Sequence, residues 1–582
     1  MLLEERASPK EMRIAIAQIA PVVGDFEQNV ALITDAYTRA ASPEKGEAAR
    51  LLLTPELGVS GYALLDLLER PEIFTRTDAA LEKLKALTKG KSTALAVGHV
   101  LRNESASGRA AFNCVSVIEN GKIVFTQAKT LLPTYDVFDE ARYFEPATGH
   151  AVWETKDENG TAMKIAFAIC EDLWGADPVL GRHLYGKVPA DEYAKLSPDL
   201  VISLSASPYE FGKRDRREAL HADIAKKLAA PLLYVNQIGA TDDILFDGAS
   251  FVADRSGSIR GRLAAFRAAF AVYDTVTNQF DAASDAERED PKSKAEPDEL
   301  EVMVRGLIHG ISEYFRRTGF KLGILGLSGG IDSAVVAALA VRALGKENVF
   351  GISMPSQYSS PGSLTDAEAL ATNLGIPFEV RPIKFLFATA AREIGEARQG
   401  LAPIAQENLQ SRLRGIILMT LSNHYNALVF TTGNKSEIAT GYCTMYGDMC
   451  GALAPIGDVL KTRVYDVARR LNEWSEREGL VPPIPESSIT KAPSAELRPD
   501  QTDQDTLPPY EKLDPMLVDY LELGVPVVEI IAKHGAWVPE ILRKIELNEY
   551  KRRQGAPVLK ASAKAFGVGR RVPIAKVWDR NT

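Results

Sequence analysis

Apolar residues along the chain gather in short runs separated by longer segments of mixed polarity. Between Arg13 and about Asp274, the runs Arg-Ile-Ala-Ile-Ala-Gln-Ile, Leu-Leu-Leu-Thr-Pro, Lys-Ile-Ala-Phe-Ala-Ile and Leu-Val-Ile-Ser-Leu read as buried strands. Turn residues predict two hairpins, at Glu119-Asn120-Gly121-Lys122 and at Asp254-Arg255-Ser256-Gly257. Strands with both hairpins and helices predict a layered α/β sandwich with mixed sheets. A second rhythm follows. Strands near 322–327, 349–354, 378–383 and 427–432 alternate with helical stretches, which predicts a mostly parallel, doubly wound sheet. Between the two rhythms, residues 284–299 hold two prolines and no large apolar residue, as a solvated linker would. The expected division is a first domain over 12–276, a charged linker over 277–299 and a second domain over 300–582.

Composition narrows the function classes. A chain of 582 residues exceeds one ordinary core, and its 46% hydrophobic and 25% charged residues are ordinary for globular protein. The formal charge of −9, with no basic tract, argues against a nucleic-acid partner. Four cysteines without a Cys-x-x-Cys pair argue against a disulfide framework or structural zinc. No run of about twenty apolar residues exists to span a membrane. The N-terminal Met-Leu-Leu-Glu-Glu-Arg lacks a signal-peptide core. A cytoplasmic protein is expected.

Candidate chemistry sits at strand ends. Gly326, Leu327, Ser328, Gly329, Gly330, Ile331, Asp332 and Ser333 follow the apolar Lys-Leu-Gly-Ile-Leu and precede Ala-Val-Val-Ala-Ala-Leu-Ala. Glycines that uncover backbone N–H groups, hydroxyls and a helix N-terminus together suit a pyrophosphate. The loop lacks the Gly-Lys-Ser/Thr ending that grips a transferred γ-phosphate. It resembles instead the ATP-pyrophosphatase loop of enzymes that adenylate an oxygen and release pyrophosphate.

In the first domain, Cys170 closes the run Met163 to Ile169 and opens Cys-Glu-Asp-Leu-Trp. Glu56 ends Leu-Leu-Leu-Thr-Pro-Glu, and Lys129 follows the second arm of a hairpin. Taken singly, these read most simply as a buried thiol, a surface acid and a surface base. Taken together, their order and local wording resemble the Glu-Lys-Cys triad of the nitrilase-like amidases. That resemblance implies Glu56 as acid/base, Lys129 as electrostatic stabiliser and Cys170 as the nucleophile that becomes a thioester.

An amidase of this class joined to an ATP-pyrophosphatase loop resembles the glutamine-dependent NAD(+) synthetase family over nearly the whole chain. The wording is most specific in Leu-Pro-Thr-Tyr-Asp-Val-Phe-Asp-Glu, Ile-Cys-Glu-Asp-Leu-Trp, Thr-Thr-Gly-Asn-Lys-Ser-Glu and Pro-Ser-Ala-Glu-Leu-Arg-Pro. The resemblance implies a nitrilase-like α-β-β-α sandwich followed by a doubly wound, Rossmann-like ATP-pyrophosphatase domain. It implies Tyr135, Ser207 and Lys213 in a glutamine pocket, although the last two also read as plain loop surface. The 326–333 loop and Thr432 would hold ATP, while Asn408, Glu437 and Lys551 would contact deamido-NAD. Asp448 and Lys461 are candidates for phosphate or Mg²⁺, although isolated Asp and Lys are usually just solvated. The implied partners are glutamine, deamido-NAD, ATP and further copies of the chain. Mg²⁺ is expected with the polyphosphate; zinc, haem and flavin are not.

Overall fold

The strand Arg13–Gln18 sends Ile14 and Ile16 to one side and Ala15 and Ala17 to the other, and this alternation organises the first unit. The computed structural model describes residues 10–42, 47–175, 182–282, 298–395 and 400–577, with the short strand Arg288–Glu289. The chain forms two compact units, Met1–Asp298 and Glu299–Thr582.

The first unit has two seven-stranded sheets. One runs Phe280–Ala282, Ala269–Asp274, Arg13–Gln18, Leu51–Leu53, Ala94–Arg102, Ala111–Glu119, Lys122–Ala128. The other runs Arg288–Glu289, Ile259–Leu263, Phe251–Ala253, Leu232–Asn236, Leu200–Ser205, Ala162–Ile169, Val152–Lys156. Each has a parallel trio at its centre and antiparallel flanks. Large side chains fill the space between the sheets: Ile14, Leu53, Ile165, Phe167, Ile202 and Leu204 share one core. Smaller side chains such as Ala15, Ala17, Ala166 and Ala168 face the outer layers. The helices Phe26–Ala41 and Glu72–Thr88 cover one sheet, and Pro189–Leu196 and Lys213–Leu228 cover the other. The result is the expected α-β-β-α sandwich. Both predicted hairpins form, joining Ala111–Glu119 to Lys122–Ala128 and Phe251–Ala253 to Ile259–Leu263.

The stretch expected as a linker is partly strand. Phe280–Ala282 pairs with Ala269–Asp274, and Arg288–Glu289 pairs with Ile259–Leu263. Residues 283–287 and 290–297, the rest of its charged portion, lie outside the described residues.

In the second unit four parallel strands run in the order Phe378–Val380, Val349–Ser353, Leu322–Gly326, Ala427–Val429. The chain order reverses beside Leu322–Gly326, where open α/β sheets hold their ligands. The helix Ile331–Leu344 leaves this strand through the glycine-serine loop and buries Ala334 to Ala340 without a break. No helix among the described residues is long and apolar enough to cross a membrane.

Candidate active sites

The first cluster gathers where three strands end. Glu56 stands three residues beyond Leu51–Leu53, Lys129 follows Lys122–Ala128, and Cys170 follows Ala162–Ile169. All three are buried, so the sequence-level picture of Glu56 and Lys129 as surface charges does not hold. Lys129 Nζ donates to Glu56 Oε1 at 2.8 Å and to Glu140 Oε1 at 2.8 Å. Glu56 also accepts from Asn113 Nδ2 at 2.7 Å and from the Ala206 N–H at 2.8 Å. A buried cation thus lies between two carboxylates, the arrangement that makes charge burial tolerable. Cys170 sits in the left-handed region at φ 43°, which few side-chain-bearing residues adopt. Burial pushes its thiol well above the ordinary range, Glu56 adds to that, and Lys129 pulls it back. Burial lowers Lys129, but Glu140, Glu56 and Cys170 outweigh it and hold the amine protonated. Glu140 is raised to about 7 by burial, against the pull of Lys129.

Beside the thiol, Glu171 is buried and accepts from Tyr135 Oη at 3.0 Å and Tyr185 Oη at 2.8 Å. Burial raises its carboxyl, while the two tyrosines, Lys129 and Lys213 lower it. Lys213 opens the helix Lys213–Leu228, donates to Pro208 O at 3.1 Å, and lies 5.4 Å from the Trp174 ring centroid. Ser207 is buried, its N–H bound to Asn236 Oδ1 at 2.8 Å. A thiol, a carboxylate and an ammonium stand here beside one acidic and one basic group, so the cluster can bind and open the amide of an amino acid.

The second cluster centres on the glycine-serine loop. Ser333 Oγ lies 3.2 Å from Ser328 Oγ and donates to Gly330 O at 3.0 Å. The Gly330 N–H donates to Ser328 Oγ at 3.2 Å. Gly329 has φ 78°, and a Cβ there would stand 2.2 Å from Ser363 O. Gly330 is less constrained, since a Cβ there would meet only Ser328 Oγ, at 3.3 Å. Leu327 is pinned through its N–H to Ile352 O at 2.9 Å. Thr432, partly exposed, follows Ala427–Val429, the strand paired with Leu322–Gly326.

Asp332 and Lys461 meet at this loop. Lys461 Nζ donates to Asp332 Oδ2, and to Glu437 Oε1 at 3.3 Å, while Asn434 Nδ2 donates to Asp332 Oδ1 at 2.9 Å. Burial lowers Lys461, yet Asp332 and Glu437 raise it further than that. Burial raises Glu437 to about 8, opposed by Lys461. The remaining candidates gather elsewhere. Asn408 Oδ1 accepts from Thr444 Oγ1 at 2.8 Å, Asp448 accepts from the Thr444 N–H and from Ser411 Oγ, and Lys551 Nζ donates to Gly441 O and Cys443 O. The structure therefore splits the pair Asp448 and Lys461: Lys461 stands at the glycine-serine loop, and Asp448 in the 441–448 segment with Asn408 and Lys551.

Sequence reasoning assigned no role to Glu140, Glu171 or Asp172. Each lay inside a quoted motif, and the signal for the last two was a pair of acids directly after a cysteine at a strand end.

Two family models match: carbon-nitrogen hydrolase over residues 13–276 and NAD synthase over residues 303–555. The glutamine-dependent NAD(+) synthetase of Synechocystis sp. is 42% identical over 574 residues, spanning 97% of this chain and 99% of that protein. The solved structure of glutamine-dependent NAD+ synthetase from Acinetobacter baumannii, in complex with ADP, is 34% identical with a TM-score of 0.73. It covers 98% of this chain and 99% of its own. A glutamine-dependent NAD(+) synthetase from Cytophaga hutchinsonii shares the fold at 21% identity, with a TM-score of 0.76 and coverage of 97% and 98%.

Proposed function

The chain belongs to the family of glutamine-dependent NAD(+) synthetases, and from that premise we propose how its residues divide the reaction. The enzyme makes NAD(+) from deamido-NAD, ATP and the amide nitrogen of glutamine. The observation that carries the division is the buried Lys129 held between Glu56 and Glu140 beside a burial-raised thiol.

A thiol raised by burial needs a base at the moment of attack, and Glu56 supplies it. Glu56 takes the Cys170 proton as sulfur adds to the amide carbon, and Lys129 faces the oxyanion that forms. The C–N bond then breaks, ammonia leaves with the proton from Glu56, and a thioester remains. Water, deprotonated by Glu56, opens the thioester to glutamate and restores the thiol. Glutamine carries an α-ammonium and an α-carboxylate: Glu171, oriented by Tyr135 and Tyr185, suits the first, and Lys213 with Ser207 suits the second.

In the second unit, the uncovered N–H groups and hydroxyls of 326–333, with Thr432, hold ATP. A nicotinate carboxylate oxygen attacks the α-phosphorus and pyrophosphate leaves. Ammonia then attacks the adenylated carbon and AMP leaves, giving the amide. Asn408, Glu437 and Lys551 contact deamido-NAD. Among the described residues no three His, Cys, Asp or Glu side chains stand together as a metal site. Asp332 and Glu437, which share the Lys461 cation, are the side chains that would hold Mg²⁺. Bound there, Mg²⁺ would neutralise the polyphosphate.

We place the enzyme in the cytoplasm, supported by four free cysteines. A homo-oligomer is supported by Phe385, Ile404 and Ile416, exposed on two helices packed on each other, Lys384–Ile394 and Pro403–Tyr425. The division of labour is tested with Cys170→Ala. It should form no NAD from glutamine, keep wild-type synthesis from ammonium salt, and convert ATP to AMP and pyrophosphate. Failure with both nitrogen sources in a folded variant, or ADP as the primary product, would overturn it.

A further inference from the structure

Cys170 and Lys129 serve one reaction from strands of two different sheets, so their spacing has to be held across the sandwich. We infer that Asp172 is a positioning residue for glutamine hydrolysis: its buried carboxylate ties the turn that carries Cys170 to the segment that carries Lys129. The inference rests on the assignment of the glutaminase to Glu56, Lys129 and Cys170.

Asp172 is 1% exposed. Its Oδ1 accepts the backbone N–H groups of Thr130 and Leu131, both at 2.9 Å. These are the two residues that follow Lys129. Its Oδ2 accepts the N–H of Ile169 at 3.1 Å, the residue that precedes Cys170. Lys122–Ala128 is the edge strand of one sheet and Ala162–Ile169 belongs to the other, so one side chain bridges both. The bond to Ile169 also reaches back across Cys170 itself. It closes a short loop around a residue in the left-handed region, and thereby resists relaxation of that turn toward a commoner conformation.

The residue type follows from the donors. Three N–H groups converge on this side chain, and an ionised carboxylate, which only accepts, satisfies all three with two oxygens. Burial raises the Asp172 carboxyl to about 6, and these bonds, with Lys129, oppose that rise. An asparagine would keep one acceptor and turn an NH₂ toward either Ile169 or Thr130 and Leu131. The neighbouring acid does different work, since Glu171 faces the hydroxyls of Tyr135 and Tyr185. Two adjacent carboxylates therefore divide into one aimed at the substrate side and one aimed at the backbone.

The test uses the full-length enzyme with Asp172→Asn and Asp172→Glu, measuring glutamine hydrolysis in the presence of ATP and deamido-NAD, and NAD formation from ammonium salt. Displacement of reacting groups by about 1 Å costs roughly 100-fold, so Asp172→Asn should lower kcat for glutamine by about that factor. KM for glutamine should stay within about 3-fold, because Asp172 bonds to backbone rather than to the proposed substrate groups. Ammonium-dependent synthesis should be unchanged. Asp172→Glu, which restores both acceptor oxygens on a longer stem, should fall between the Asn variant and wild type. Wild-type kcat in either variant overturns the inference, as does a rise in KM alone or an equal loss with ammonium. If Asp172→Asn does not fold, Asp172→Glu decides on the same criteria. Glutamine hydrolysis surviving in Cys170→Ala would remove the underlying assignment instead. Loss in Cys170→Ala alongside wild-type turnover in Asp172→Asn would remove only this inference.

Discussion

At the scale of single residues, burial changes what a side chain can do. Glu171 lies next to Cys170 in sequence, yet its oxygens face two tyrosine hydroxyls and feel Lys213. If it binds the α-ammonium of glutamine, it does so equally in the ground state and the transition state. Glu171→Gln should therefore raise KM for glutamine roughly 10- to 100-fold, the range for losing one charged hydrogen bond, and leave kcat within a few-fold. A fall in kcat at unchanged KM would place Glu171 in the chemical step instead. The three residues of the first cluster were legible through the family resemblance of their order and local wording, since singly they read as a buried thiol, a surface acid and a surface base. Glu140 and Asp172 were not. Nothing local marks their partners, and only the fold brings a cation to one and three backbone donors to the other.

At the scale of elements, alternation made the strands readable, because a period of two is a local signal. Which strands become neighbours is not local. Phe280–Ala282 and Arg288–Glu289 fall in a polar, charged stretch and become strands only because an open sheet edge lies beside them. The glycine-serine loop shows the same limit at finer grain. Sequence treats Gly329 and Gly330 alike, whereas the structure gives them different constraints. Gly329→Ala would pay the left-handed penalty of about 1–2 kcal/mol and press a Cβ onto the Ser363 backbone, so the loop must shift. It should lose NAD synthesis from either nitrogen source while the Cys170 site still hydrolyses glutamine. Gly330→Ala meets only a hydroxyl oxygen, and its melting temperature should match wild type. Wild-type ammonium-dependent synthesis in Gly329→Ala would show that this glycine is not required.

At the scale of the whole molecule, two compact units predict two unfolding transitions, and the buried ionisable groups of the first unit set how its transition responds to acid. His221 is fully buried, with its ring edge-on to Tyr234 and Phe251 and Nδ1–H donating to Arg217 O. Burial lowers it to about 4 from an ordinary 6.5; the bond to Arg217 O opposes this and the Arg217 charge adds to it. Folding therefore favours its neutral form, so its contribution is present above pH 6.5 and is lost as pH falls toward 4. Asp172, raised to about 6, and Glu140, raised to about 7, act in the opposite sense. Burial disfavours their charged forms, so their contributions are present at low pH and lost as pH rises through those values. The wild-type first unit should show partial cancellation, and hence a shallow pH dependence between 4 and 6.5. His221→Phe keeps an aromatic ring there and removes the titrating group together with its bond to Arg217 O, a loss that is the same at every pH. Relative to wild type, the variant should gain stability as pH falls from 6.5 to 4, by on the order of 3 kcal/mol at the acid end. Calorimetry of the full-length pair over that range measures it, and only one of the two transitions should move. A constant difference between wild type and variant at every pH would mean that His221 titrates normally in the folded enzyme.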